Sequence, residues 1–200
     1  MTRLRNLFAP RGLKVGRLLG AYYRLRYGAS WIGRIRAEVR MYDGDWTQEQ
    51  IAAGLAEHAF AGKRVVYGNL LTIGGASAML HRLTGGTSVT AFDSSNSYLG
   101  VGDSTTAAAD TQTDLQAASN KTRFSATVSH TDSTSNSAAK TVTVVGTAGT
   151  STANHRWREW GWFNASTAGR MFNRKVEDLD GGSAKTSAQS WQLTVTAAVA

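Results

Sequence analysis

The chain has no cysteine, which excludes a disulfide framework, a thiolate metal site and a cysteine nucleophile, and leaves stability to packing or assembly. Proline occurs once, at Pro10, so nothing beyond that point stiffens a loop or ends a strand through a missing N–H. No stretch approaches the roughly 18 consecutive apolar residues of a membrane-spanning helix, and none is expected. Acidic residues are scarce at one end only. The first forty residues hold ten Lys or Arg against one acid, Glu38, whereas the remaining 160 hold 12 basic and 13 acidic groups. The net charge of +8 therefore belongs to a leader and not to the body.

What is present points to a β protein. Two hundred residues that are 42% apolar suffice for one substantial core with a smaller N-terminal piece. The 21 glycines and abundant Ser, Thr and Asn supply the turns that hairpins need. Short runs with strand periodicity fall at 89–92, 98–101, 123–129, 141–145, 156–163, 170–176 and 190–195. In two of them Phe124, Ala126 and Val128, and Trp191, Leu193 and Val195, alternate with polar residues, as in sheets wetted on one side. The expected fold is mainly β: an antiparallel sandwich or jelly-roll-like body over 87–200, preceded by a basic extended arm over 1–42 and a helical connector over 43–86 with two short helices. The first helix is expected to follow a capping box at Thr47 and Gln50 and to end at Gly62. The second spans 68–86 on an apolar stripe of Leu70, Ile73, Ala76, Met79, Leu80 and Leu83. The Gly74-Gly75 pair inside it requires either a close helix–sheet contact or a break.

The segment 155–176 organises the body as a hairpin. Alternation sets Trp157, Glu159, Gly161 and Phe163 on one face and Arg158, Trp160 and Trp162 on the other. Glu159 is the carboxylate most enclosed by large apolar groups, and Arg123, Arg170 or Arg174 is expected to satisfy it as a structural ion pair. Trp157, Trp160 and Trp162 are read as core on one face and subunit interface on the other. Four segments in order, SYLGVGDSTTA (97–107), TDLQAASNKTR (113–123), EWGWFN (159–164) and GRMFNRKV (169–176), resemble a recurring domain of tailed-bacteriophage virion proteins. In that domain a YIGVG strand, a TDL turn, a KTR strand start and an ExGxFN-to-MxNR hairpin follow one another. The resemblance covers about 68–200 and implies a structural part of a phage particle, on the capsid exterior or the tail.

The leader interleaves cations with Leu, Tyr and Trp. Arg3, Arg5, Arg11, Lys14, Arg17, Tyr22, Tyr23, Arg24, Arg26, Tyr27, Trp31, Arg34 and Arg36 are the candidate partner-binding residues, read as an arm across a neighbouring subunit's acidic surface. A mitochondrial presequence, an amphipathic helix on an anionic membrane and a nucleic-acid arm share this composition, nucleic acid being the strongest of the three. No catalytic motif emerges. His58, His81, His130 and His155 lack metal-ligand spacing, no GxSxG elbow is present, Asp43 and Asp45 read as plain turn residues, and Glu177, Asp178 and Asp180 read as a solvated turn. The expectation is a non-enzymatic virion protein without metal or cofactor. It is read first as a capsid decoration or cement protein bound to the major capsid protein, and second as a tail adaptor, baseplate or fibre protein. A homo-oligomer is expected, with a trimer favoured.

Overall fold

A strict period of two builds the first strand. In β1 (Ile32–Asp43), Ile35, Ala37 and Val39 are buried, while Arg36, Glu38 and Arg40 between them stay partly exposed on the opposite face. The computed structural model describes residues 32–199. After β1 come α1 (Gln48–Ala52), β2 (Phe60–Tyr67), β3 (Leu70–Leu71), α2 (Ile73–Leu83), β4 (Tyr98–Gly102), β5 (Lys121–Ser125), β6 (Thr127–His130), β7 (Thr141–Ala148), β8 (Glu159–Phe163), β9 (Met171–Val176) and β10 (Gln189–Val199).

The strands form two five-stranded antiparallel sheets. Sheet A has the order β2-β1-β10-β7-β6 and sheet B the order β3-β9-β8-β4-β5. This is the mainly β, sandwich-like fold that the alternation predicts. At Ala126, whose N–H donates to the Ser97 carbonyl (2.9 Å), one continuous chain passes from β5 in sheet B to β6 in sheet A. The expected single strand over 123–129 is therefore two. Ile35, Ala37, Val39, Val144, Trp191, Leu193 and Val195 from sheet A meet Leu99, Val101, Phe124, Trp160, Trp162 and Phe172 from sheet B in one core.

Several expectations change. Residues 32–42, read as arm, form a strand between β2 and β10, and the connector supplies β2 and β3. Residues 89–92 form no strand, although Phe92 packs edge-on against Trp162 and Phe172. The capping box forms as read: the Gln50 N–H donates to Thr47 Oγ1 (3.3 Å) and the Thr47 N–H to Gln50 Oε1 (2.9 Å). The helix stops at Ala52, before Gly54 turns the chain at φ +75°, and Gly62 lies in β2 opposite Met41.

The second helix also differs. Thr72 caps α2 by accepting from the Gly75 N–H (3.0 Å), and the helix turns its small residues inward. Gly75 and Ala78 are buried, whereas Ile73, Leu80 and Leu83 are exposed. A Cβ on Gly75 would sit 2.6 Å from Phe172 Cα. Close contact with β9 thus explains Gly75; of the apolar stripe Ile73, Leu80 and Leu83 face outward, while Met79 packs against the core.

Candidate functional site

The four segments that carry the resemblance meet on the outer face of sheet B. Register places Tyr98, Gly100 and Gly102 of β4 beside Phe163, Gly161 and Glu159 of β8, so small residues leave a shallow strip across the sheet. A Cβ on Gly102 would lie 2.5 Å from Glu159 Oε1, and one on Gly100 would lie 2.7 Å from the Phe163 ring. The connection between β4 and β5 lies over this strip, burying Leu115 and Ala117.

Glu159, at zero exposure, ties these pieces together. Its Oε2 accepts from the Gln116 N–H (3.0 Å) and from Arg174 Nε (2.7 Å), and its Oε1 accepts from the Ala117 N–H (2.8 Å). Arg174, also at zero exposure, directs its remaining N–H groups to Gln112 Oε1 (2.8 Å), the Thr106 carbonyl (2.9 Å) and the Ala107 carbonyl (3.3 Å). A buried ion pair survives when such bonds replace the water that both groups lose. Of the three candidate arginines, Arg174 is the partner. Arg123 instead pairs with Asp114 (2.8 Å) and stacks 3.6 Å from the centre of the Phe163 ring, and Arg170 reaches Ser77 Oγ (3.0 Å) on α2. Burial works to raise the Asp114 carboxyl, but bonds from Lys121 and Arg123 outweigh it and hold the carboxyl below its ordinary value.

The three candidate tryptophans, Trp157, Trp160 and Trp162, are all core. β8 begins at Glu159, so Trp157 lies before the strand and escapes its alternation. Its N–H donates to Asp180 Oδ2 (2.9 Å) and its indole N–H to the Ala153 carbonyl (3.0 Å), turning the ring inward against Trp191 and Phe124. Trp160 and Trp162 enter the same core, and the expected interface face does not exist on this strand. Asp180 corrects another reading. It is buried, and Arg156 donates to both of its oxygens (2.5 and 2.9 Å). Burial works to raise its pKa, but Arg156, Asp178 and the N–H groups of Gly182 and Trp157 bring it down to about 2. Asp178, beside it, is raised by that neighbour.

A cleft of about 450 Å³ opens elsewhere, between the turn entering α1 and the β6–β7 side of sheet A, and no motif in the sequence announces it. Asp45, Trp46, Glu49, Ser94, Thr127 and Thr147 are among its lining residues, and no Lys or Arg is. Long-range bonds fix its walls. The Trp46 N–H donates to Ser190 Oγ (2.9 Å), the Thr150 N–H to Asp45 Oδ1 (3.1 Å), and Gln48 Nε2 to Thr127 Oγ1 across the opening (2.7 Å). The Trp46 indole N–H is committed to the Asp43 carbonyl (2.7 Å). The Thr150 N–H holds Asp45 below its ordinary pKa, and Glu49 is lowered by its own N–H and by Thr47. Beside the wall, Lys185 is 1% exposed and donates to the Gly149 carbonyl and Asn154 Oδ1, both at 2.7 Å; burial pushes it down to about 8.

Arg3, Arg5, Arg11, Lys14, Arg17, Tyr22, Tyr23, Arg24, Arg26, Tyr27 and Trp31 lie outside the described residues. Arg34 stands in β1 opposite Ala198, and Arg36 pairs with Glu38 on the outer face of sheet A. Among the described residues no three His, Asp or Glu side chains gather as metal ligands, and no helix is long and apolar enough to cross a membrane. Comparison with protein-family models, curated proteins and solved structures found no match.

Proposed function

We propose that the chain is a non-enzymatic structural subunit of a tailed-phage particle, in the first instance a decoration or cement protein on the capsid exterior. One observation supports this above others: the residues that carry the resemblance converge on the Glu159–Arg174 knot, where every charged atom is spent on holding a loop to a sheet. Residues kept for scaffolding suit a module whose work is rigidity. The cleft beside α1 agrees with this. Its two carboxylates are both held below their ordinary range, so neither offers the proton that glycoside hydrolysis takes from a raised carboxylic acid. The basic leader supplies attachment, through guanidinium pairs with acidic neighbours and apolar anchors between them.

The test is location. A reconstruction of the particle should place the chain on the shell in hundreds of copies. Its absence from purified particles would overturn the proposal, and a few copies at the tail would overturn the capsid assignment.

A further inference from the structure

The cleft beside α1 has chemistry that the scaffold does not use. Asp45 and Glu49 are exposed and ionised, and Trp46 lines the cleft only partly buried, its ring packed edge-on with His58 (5.3 Å between centres) and against the cluster of Tyr42, Ile51 and Ala56. Hydroxyls of Ser94, Thr127 and Thr147 complete the lining. With two carboxylates, an indole and no cation among its lining residues, the cleft disfavours phosphate and other anions, and the Lys185 ammonium behind the wall is engaged by the Gly149 carbonyl and Asn154 Oδ1. It suits a planar cation, because a guanidinium forks onto a carboxylate and stacks on an indole. The bonds from Thr150, Ser190 and Gln48 set its walls before anything binds, which removes part of the ordering cost of association.

The same chain carries the complementary charge. Residues 1–31 contain six arginines and Lys14 and no acid. They enter the fold at Ile32, and the cleft begins at Asp45, beyond the far end of β1. Twelve strand residues separate the two by roughly 36 Å. Entry at one end and an acceptor at the other suit head-to-tail contact, in which the leader of one copy meets the cleft of the next and the association closes into a ring or grows as a chain.

We propose that this cleft receives arginine side chains from the first 31 residues of a second copy of the chain. The proposal rests on the reading of the leader as an attachment device and names its acceptor. It stands or falls apart from the capsid assignment, because it concerns the purified protein.

The experiment is sedimentation velocity on the full chain and two variants, with thermal melts as the control for folding. One variant, D45N/E49Q, disables the cleft while the amide oxygen introduced by D45N can still accept from the Thr150 N–H. In the other, the six arginines of residues 1–31 become glutamine, which disables the leader and changes none of the described residues. The parent should self-associate at about 50 mM salt and weaken at about 500 mM. Each variant alone should show an apparent Kd raised by about tenfold or more. Mixed, they should form a one-to-one complex, since one retains a working leader and the other a working cleft. A monomeric parent, which is also the result if the leader folds back onto its own cleft, overturns the proposal. So does undiminished association of either variant, or a mixture that fails to pair. If D45N/E49Q does not melt as the parent does, Glu49→Gln alone and the leader variant carry the same comparison.

Discussion

Glu159 and Arg174 each keep the other's charge tolerable in a place that water does not reach, so the loss of either should cost more than the pair contributes. Glu159→Gln or Arg174→Met should lower stability by about 3–5 kcal/mol in chemical denaturation. The joint change Glu159→Leu with Arg174→Met should cost clearly less than the sum, because neither charge is then stranded. Additive losses would count against the coupling. Asp180 gives a pH signature. Its folded value of about 2 lies below the ordinary 3.8, so between those values the folded chain binds fewer protons than the unfolded one. The stability it contributes is whole above about pH 4 and is lost as the pH falls through 2. Asp180→Asn should lower the melting temperature at neutral pH and flatten the decline of Tm between pH 4 and 2; an unchanged acid limb would contradict the role assigned to it. At this scale the sequence tells half. A carboxylate on a strand of large apolar groups calls for a guanidinium, and the sequence offers Arg123, Arg170 and Arg174. Arg174 is selected by the loop carbonyls of Thr106 and Ala107 and the amide of Gln112, more than sixty residues away in the chain, which no local pattern reports. Asp180 looks solvated in sequence because its partners Arg156 and Trp157 precede it by more than twenty residues.

Among the elements, α2 shows size overruling hydrophobicity. A helix pressed onto a strand backbone must present whatever lets it approach, and here that is Gly75 and Ala78, with Met79 beside them and Ile73, Leu80 and Leu83 displaced outward. The neighbouring glycines therefore respond oppositely to one change. Gly75→Ala should cost about 1–3 kcal/mol, since its methyl would meet the Phe172 backbone. Gly74→Ala, whose nearest neighbours lie at 3.8 Å, should be neutral or stabilising by up to about 1 kcal/mol through helix propensity. Paired denaturation curves decide it, and similar effects at both sites would mean that the helix does not sit as described. The sequence poses this question at Gly74-Gly75 but turns Ile73, Leu80 and Leu83 inward where the structure turns them outward, because periodicity measures apolarity and not volume. β1 is concealed for a related reason. Ile35, Ala37, Val39 and Met41 alternate with Arg36, Glu38 and Arg40, a clear strand signal that a tally of charge over forty residues absorbs into the leader.

For the whole molecule, that strand decides where the body ends. β1 pairs with β2 on one side and β10 on the other, so its removal would separate β2 from sheet A and strip Ile35, Ala37 and Val39 from the core. Burial of such side chains is worth about 1.5–3 kcal/mol each for the larger ones, and a domain has only about 5–15 kcal/mol to lose. Deleting residues 1–40 should therefore abolish cooperative unfolding, whereas deleting residues 1–31 should leave a melting transition close to that of the full chain, because every strand and core side chain of the described residues is then kept. The shorter deletion then isolates attachment from folding. If the leader is the tether, the 1–31 deletion should be soluble, melt normally and fail to join the particle, with occupancy measured by quantitative mass spectrometry of purified particles. Normal incorporation of that folded variant would place attachment on the sandwich itself and remove the leader's assigned role. Loss of cooperative melting on the 1–31 deletion would show instead that the leader is part of the core.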